Sequence, residues 1–213
     1  MKRIVQTILP YLRDKDKIKV LVTCKKFTKL VPKTFYTDLH NYNSVMHLNF
    51  IDHIKNIRLH VRVCKFTEHM LRYVTHLTLD DNFNERIDNL PKGLKQLTLG
   101  WCFDQPIDNL PLGLTHLQLN GYFNHSIDNL PPSLTYLYMG DNFNLPVNNL
   151  PQNLMYLTFG YYFDQPVDNL PPNLTHLTLG TNFNQPIDNM PRSLIYLKIS
   201  GKFNQSMDHL PQN

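Results

Sequence analysis

Cysteine is nearly missing from this chain. Only Cys24, Cys64 and Cys102 occur among 213 residues, an odd number with no paired metal-ligand spacing, which excludes a disulfide framework and a zinc knuckle and leaves three reduced thiols. Long apolar runs are missing too, and none approaches the ~20 residues of a membrane-spanning helix. Met1-Lys2-Arg3 followed by Ile4 to Leu9 has the outline of a secretion signal, but Gln6 and Thr7 interrupt it and Pro10 ends it. The expectation is therefore a soluble, intracellular and cytoplasmic protein with no membrane contact. Catalytic signatures are absent: there is no P-loop, no nucleophile elbow and no His-Glu-x-x-His pattern, and Cys102 has no predictable base beside it. No catalytic residue, cofactor site or metal site is predicted, and the chain is read as a non-enzyme.

What the chain has is a period. Phe83, Phe103, Phe123, Phe143, Phe163, Phe183 and Phe203 recur every twenty residues without a slip. A fixed period of that length marks stacked units, none able to bury its apolar face alone. The rest of the unit repeats with the phenylalanine. Leu94, Leu97, Leu99, Phe103, Ile107, Leu110 and Pro111 in one copy become Leu174, Leu177, Leu179, Phe183, Ile187, Met190 and Pro191 in another. Val74, Leu77 and Leu79 lie one period upstream of the first set. A degenerate copy with Ile54, Ile57 and Leu59, and Val63 in the phenylalanine slot, lies one period before that, as expected of a terminal cap. Strand segments from Ile54 to Ile199 number eight by this reading.

The Leu-x-Leu alternation at 97 and 99 is that of a short strand buried on one face. Gly100, Gly140, Gly160 and Gly180 supply a turn behind it, and Asp-Asn-Leu-Pro at 108–111 and 168–171 supplies another. Proline fits poorly in a central ladder, so the return limb should be extended, irregular or briefly 3₁₀, with no room for an ordinary helix. Without helices the two limbs have similar spacing, which predicts a straight, slim, right-handed stack, eight strands spanning roughly 34 Å. Met207 to Leu210 begin a further coil whose strand does not follow, so the last strand edge is expected to be open, with fraying or end-to-end association as its consequence.

Charge splits the chain. Residues 1–40 carry ten Lys or Arg against Asp14, Asp16 and Asp38, a balance of +7, whereas residues 74–213 carry six bases against twelve acids, a balance of −6. The asymmetry makes two different partners plausible. The basic segment reads as two helices. Ile4, Val5, Ile8, Leu9 and Leu12 line one, Arg13-Asp14-Lys15-Asp16 breaks the chain, and Ile18, Leu21, Val22, Cys24 and Phe27 line the other before Pro32. Forty residues are too few for a secure core of their own, so these helices are expected to lean on the solenoid.

Ile8-Leu9-Pro10-Tyr11-Leu12-Arg13-Asp14-Lys15-Asp16-Lys17-Ile18 and then Val22-Thr23-Cys24-Lys25-Lys26-Phe27 resemble an F-box. Phe-Asn-Gln-Pro-Ile at 183–187 and Phe-Asp-Gln-Pro at 103–106 and 163–166 are similar to the FNIP repeat. The combination resembles the F-box and FNIP-repeat proteins of giant amoeba viruses and their amoebal relatives. The usual Leu-Pro-acidic opening is missing, and a phenylalanine replaces the common tryptophan. The resemblance implies a leucine-rich-repeat-like β solenoid of FNIP-type units over 74–213, a linker and degenerate capping repeat over 41–73, and an F-box-like segment over 1–40. It further implies that Leu9, Pro10, Leu12, Ile18, Val22, Cys24 and Phe27 form or support a face for the Skp-type adaptor of a cullin ubiquitin ligase, while the repeats hold a protein target. A scaffold or decoy without a ubiquitin link, its helices merely capping the stack, is the alternative. Nucleic-acid binding by the basic segment is a remoter one.

Three rows of stacked side chains could carry function. Asp88, Asp108, Asp128, Asp168, Asp188 and Asp208 could form a calcium-binding ladder, but turn capping by backbone N–H groups at Asp-Asn-Leu-Pro is the simpler reading, and Asn84, Asn124, Asn144, Asn184 and Asn204, with Asp104 and Asp164, are read the same way. His76, His116 and His176 share an outward strand slot but lie two and three coils apart, roughly 10 and 14 Å, too far for one zinc ion. Tyr136, Tyr156 and Tyr196 fill the same slot, which is thus a hydrogen-bonding surface. Inward slots are uniform while outward slots vary, so partner recognition is assigned to the outward aromatics Tyr136, Tyr138 and Tyr156 with Trp101, Tyr122, Tyr161 and Tyr162 at the adjoining turns. Such residues combine large apolar area with a polar tip.

Overall fold

Parallel pairing of short strands organises everything that follows. The computed structural model describes the backbone of residues 36–41 and 54–61, and residues 74–208, 210 and 211 in full. It contains a single sheet of nine strands in sequential order: β1 (Tyr36–Asn41), β2 (Ile54–Val61), β3 (His76–Leu79), β4 (Gln96–Leu99), β5 (His116–Leu119), β6 (Tyr136–Met139), β7 (Tyr156–Thr158), β8 (His176–Leu179) and β9 (Tyr196–Ile199). Every neighbouring pair is parallel. From β3 to β9 the register steps by one sequence period, so that Leu77, Leu97, Leu117, Leu137, Leu157, Leu177 and Leu197 are successive partners. The fold is the expected β solenoid, and the return limbs of its fully described coils are turns and extended chain without a helix.

Two features depart from the sequence reading. Leu59 pairs with Leu77 and Val61 with Leu79, so β2 lies two residues away from the alignment that set Leu59 beside Leu79. A leucine alternation of period two fits as well after a slide of two, and the pairing chose the other register. The sheet also extends one strand further: β1 runs across residue 40, where the charge balance placed a boundary, and pairs with β2 through an irregular register between Tyr36 and Leu39. The helices expected over Ile4 to Leu30, and Val63, lie outside the described residues.

Between the two limbs runs one apolar core. Leu94, Leu97, Leu99, Phe103 and their equivalents up to Phe183 are sealed from solvent, with Ile107, Ile127, Val147, Val167 and Ile187 closing the far side. The phenylalanines stack on one another down the axis. Successive ring centroids are 6.1–6.4 Å apart and interplanar angles stay within 14°, an offset-parallel geometry favourable to the ring quadrupole. Phe159 adds a second ring where other coils hold Leu, Met or Ile, its centroid 3.7 Å from that of Phe163 and the two rings stacked face to face. β7 ends one residue early at that point. In β9 the inward Leu197 and Ile199 are half-buried, unlike their counterparts in β3 to β8.

Turns close each coil at fixed places. The carbonyl of Pro91 accepts from Leu94 N–H at 3.0 Å, and Pro111, Pro131, Pro151, Pro171 and Pro191 repeat the bond. Proline thus contributes its acceptor where its missing donor costs nothing. At the strand ends, Gly100 O accepts from Phe103 N–H at 3.3 Å, and Gly140 and Gly180 do likewise. These glycines have ordinary negative φ; close approach selects them, because a Cβ on Gly140 would lie 2.5 Å from the backbone carbon of Asn120.

Side chains then tie each coil to the next. Asn84 Oδ1 accepts from Asp104 N–H at 2.9 Å, Asp104 from Asn124, Asn124 from Asn144, Asn144 from Asp164, Asp164 from Asn184 and Asn184 from Asn204. Gln105, Gln165, Gln185 and Gln205 donate to the same oxygens from the following coil. The sequence reading had each Asx oxygen capping its own turn. Along this row it instead satisfies the neighbour's backbone N–H, which no sheet bond reaches, and only the stacked geometry reveals that. The carboxylates of Asp108, Asp128 and Asp168 likewise hold the amides of Asn129, Asn149 and Asn189 at 3.0–3.4 Å. Hydrogen bonds from Ser126 and then Asn149 lower the Asp128 carboxyl below its ordinary value.

Phe143 is fully buried among the rings of Phe123, Phe159 and Phe163. Its replacement by alanine should cost about 3–5 kcal/mol and loosen adjacent coils, since each depends on its neighbour. Thermal melting will show an unchanged midpoint only if the row contributes no packing. Asn144 separates two roles of its slot: Asn144→Leu should lose about 1 kcal/mol through the orphaned Asp164 N–H, whereas Asn144→Asp should retain wild-type stability at neutral pH. Urea unfolding of the two variants checks the difference, and equal midpoints would remove the ladder as a stabilising element.

Candidate protein-binding face

The alternation that buries Leu97 and Leu99 turns positions 96 and 98 outward, and in every coil this leaves two slots free to vary. The first slot runs His76, Gln96, His116, Tyr136, Tyr156, His176 and Tyr196, consecutive partners in the sheet. From His116 onward its rings form a continuous row, with centroid separations of 5.6 Å to Tyr136, 6.3 Å to Tyr156, 4.5 Å to His176 and 5.7 Å to Tyr196, all stacked except the Tyr136–Tyr156 pair, which is tilted by 36°. Where the rings stack they cover one another's faces, and a partner meets edges, phenol hydroxyls and imidazole nitrogens there.

The tautomer of two histidines follows from their neighbours. Thr115 Oγ1 donates to Lys95 O at 3.0 Å and lies 2.9 Å from His116 Nδ1. With its hydrogen committed to the carbonyl, the hydroxyl accepts, so neutral His116 carries its proton on Nδ1 and keeps Nε2 as an acceptor. Thr175 Oγ1, bonded to Met155 O at 3.0 Å and 2.9 Å from His176 Nδ1, sets the same arrangement. The described residues contain no group of three or more His, Cys, Asp or Glu positioned to hold a metal ion.

The second slot holds Thr78, Thr98, Gln118, Tyr138, Thr158, Thr178 and Lys198. Tyr138 is half-buried, and its phenol is pushed above the ordinary value by burial first, then by the Asp141 carboxylate and by Tyr136. Beyond the strand ends lie two edge-on aromatic pairs, Trp101 with Tyr122 at 6.3 Å and Tyr161 with Tyr162 at 4.8 Å, all four exposed. The seven aromatics read from the sequence as a partner face therefore fall into a strand group and two turn pairs. His116, His176 and Tyr196, which the sequence reading kept outside that face, complete the ladder, and their spacing in multiples of one period was the available signal. The adaptor-face residues Leu9, Pro10, Leu12, Ile18, Val22, Cys24 and Phe27 lie outside the described residues.

A groove of about 500 Å³ runs past the starts of β6 to β9, lined by Ser133, Thr135, Asn153, Met155, Asn173, Thr175 and Ser193. Its polar side chains are largely committed: Asn153 and Asn173 donate to Pro132 O and Gln152 O, and Thr135, Thr175 and Ser193 to carbonyls of the preceding coil. No helix among the described residues is long and apolar enough to cross a membrane.

Known proteins resemble this chain in sequence and in shape. A protein of Acanthamoeba polyphaga mimivirus named "Putative F-box protein" is 34% identical over 86 residues, 40% of this chain and 33% of that protein. A second of the same name and virus is 35% identical over 92 residues, 43% of each chain. A third, "Putative FNIP repeat-containing protein" of the same virus, is 37% identical over 86 residues, 40% of this chain and 21% of that protein. The matched stretch thus spans less than half of each relative. Among solved structures, the crystal structure of CroV588, titled a novel circular LRR protein, superposes with a TM-score of 0.67 at 38% identity, covering 75% of this chain and 26% of that one. The FNIP Repeat model matches 87–122, 103–142, 123–162, 142–169 and 163–202, together more than half of the chain. A repeat-based interaction scaffold by architecture, the chain belongs to the FNIP repeat family.

Proposed function

We propose that this protein is the target-recognition subunit of a cullin-type ubiquitin ligase in the cytoplasm of an amoebal host, holding a protein target on the outward aromatic face and docking a Skp-type adaptor through its N-terminal segment. The observation that carries target binding is the row of adjoining rings from His116 to Tyr196, with the Trp101–Tyr122 and Tyr161–Tyr162 pairs at the turns. Its edges join apolar area to hydrogen-bonding tips on a scaffold held rigid by the core beneath, a combination that concentrates binding energy in few residues. The F-box-like order of Leu9, Pro10, Leu12, Ile18, Val22, Cys24 and Phe27, together with the F-box name of two relatives, supports the adaptor link. A stand-alone scaffold is the second reading. It is favoured by β1, whose pairing with β2 brings the sheet to residue 36 and so joins the N-terminal segment directly to the stack.

Two variants separate these readings. Leu9→Asp or Leu12→Asp places a charge in an apolar interface, so a purified Skp-type adaptor should no longer be pulled down while the circular dichroism of the repeats is unchanged. Loss of repeat structure with the adaptor would assign the segment to capping. On the other side of the molecule, alanine at Tyr136, Tyr138 and Tyr156 together should leave the melting temperature within a few degrees and release the captured target. Retention of the target by that variant, with release on substitution of Gln105, Gln165 and Gln185, would move the binding face to the opposite edge.

A further inference from the structure

Two carboxylates on the aromatic side, Asp81 and Asp141, share one slot and accept the backbone N–H of Trp101 and Tyr161 at 3.3 and 3.2 Å, and of the two only Asp141 has aromatic residues both before and after it along that slot. The slot just beyond the strands runs Asp81, Trp101, Gly121, Asp141, Tyr161, Thr181 and Gly201. Gly121 has φ +50°, and a Cβ built on it would lie 2.8 Å from Trp101 Cδ2, so the indole lies over the glycine, the residue that separates Trp101 from Asp141 along the slot. The coil after that supplies Tyr161, whose backbone N–H donates to Asp141 Oδ1 at 3.2 Å. Tyr162 N–H bonds the Asp141 carbonyl at 2.9 Å, and its ring meets Tyr161 edge-on. Tyr138, on the strand leading into the same turn, is close enough to feel the Asp141 charge.

Asp141 is thus a half-exposed carboxylate with Trp101 two places before it and Tyr161 one place after it along the slot, and with Tyr138 on the strand that leads into its turn. Among the described residues the ion pairs are Arg86 with Asp88 and His125 with Asp104, and neither involves Asp141. The outward strand slots around it carry no formal charge from β3 to β8, Lys198 of β9 being the first. A lone anion bordered by aromatic rings suits a cation, since ring faces and carboxylate attract the same charge and the rings displace competing water.

We infer that Trp101, Tyr138, Asp141 and Tyr161 form a recognition site for the ammonium or guanidinium group of a lysine or arginine side chain on the bound protein target. The inference rests on the aromatic face being the target face and adds the chemistry of the target: a basic side chain projecting from an otherwise uncharged contact surface. The net acidity of residues 74–213 favours the same partner.

Trp101 is the chain's one tryptophan, so its fluorescence reports on the site directly. The full chain, at low ionic strength, is titrated with blocked Gly-Lys-Gly and Gly-Arg-Gly peptides and with neutral blocked Gly-Gln-Gly. A saturable emission change with at least one basic peptide and none with the glutamine peptide is expected, weakening as salt is raised. Asp141→Asn, which keeps an oxygen for the Tyr161 N–H, should weaken the basic peptide by about tenfold or more, and Tyr161→Leu should weaken it as well. Equal binding of the glutamine peptide, an Asp141→Asn variant that binds as tightly as wild type, or no saturable change with either basic peptide overturns the site. None of these results bears on whether Tyr136 and Tyr156 hold the target, because release of the captured target by Tyr136→Ala/Tyr156→Ala is read separately and with Asp141 intact.

Discussion

Stacking in register is the constraint on which this molecule depends. A coil of twenty residues has too little interior to bury its own apolar side chains, and its strand has no hydrogen-bond partner within the coil. Both needs are met by the adjacent coil, provided each residue lies over its equivalent. The phenylalanine row enforces this: six successive pairs keep nearly constant separation and tilt, which a shift of one residue in any coil would interrupt. The Asx ladder acts at the same places on the polar side, handing each coil's backbone donor to the side chain before it. Apolar and polar interactions thus select one register, a local and global agreement that favours a unique fold.

That constraint explains which features could be read in advance. Residues in inward slots are fixed by their neighbours, so the phenylalanine period, the Leu-x-Leu strands and the proline turns were legible without coordinates. Features that depend on the contact between coils were less so. Nothing in the string Phe-Asn-Gln-Pro says that the asparagine oxygen bonds a backbone N–H twenty residues onward, because the same residue in a solitary turn would cap itself. The β2 register escaped for a different reason: Ile57, Leu59 and Val61 alternate evenly, and such a pattern cannot distinguish a slide of two. Phe159 was visible as a sequence change, but its 3.7 Å contact with Phe163 and the shortening of β7 are packing outcomes.

The outward face shows the complementary rule. Its residues are not needed for stacking, so each coil can hold a different one, and the period only says which positions share a row. The row from His116 to Tyr196 could be assembled from the sequence, and its partner strand residues with it. The role of Asp141 could not. It stands in a slot occupied elsewhere by Asp, Trp, Gly, Tyr, Thr and Gly, with no pattern of its own. Its surroundings come from three features that different coils supply: the glycine that lets the indole of Trp101 lie down, the Tyr161 amide that bonds one carboxylate oxygen, and the phenol of Tyr138 on β6.

This division allows recognition to change without loss of the scaffold. Carboxylates on the return limb, at Asp108, Asp128 and Asp168, are engaged by asparagine amides of the following coil, so their charge is tied to the stack and is spread along one edge. Asp141 bonds only the backbone of its neighbour among the described residues, which leaves its charge available at the margin of an uncharged aromatic surface. A solenoid carrying both kinds of acid can be acidic overall for solubility and still direct specificity through a single group. In such a design the ring edges supply area that many proteins could cover, and the position of one carboxylate beside them discriminates among those proteins by where a basic side chain must project.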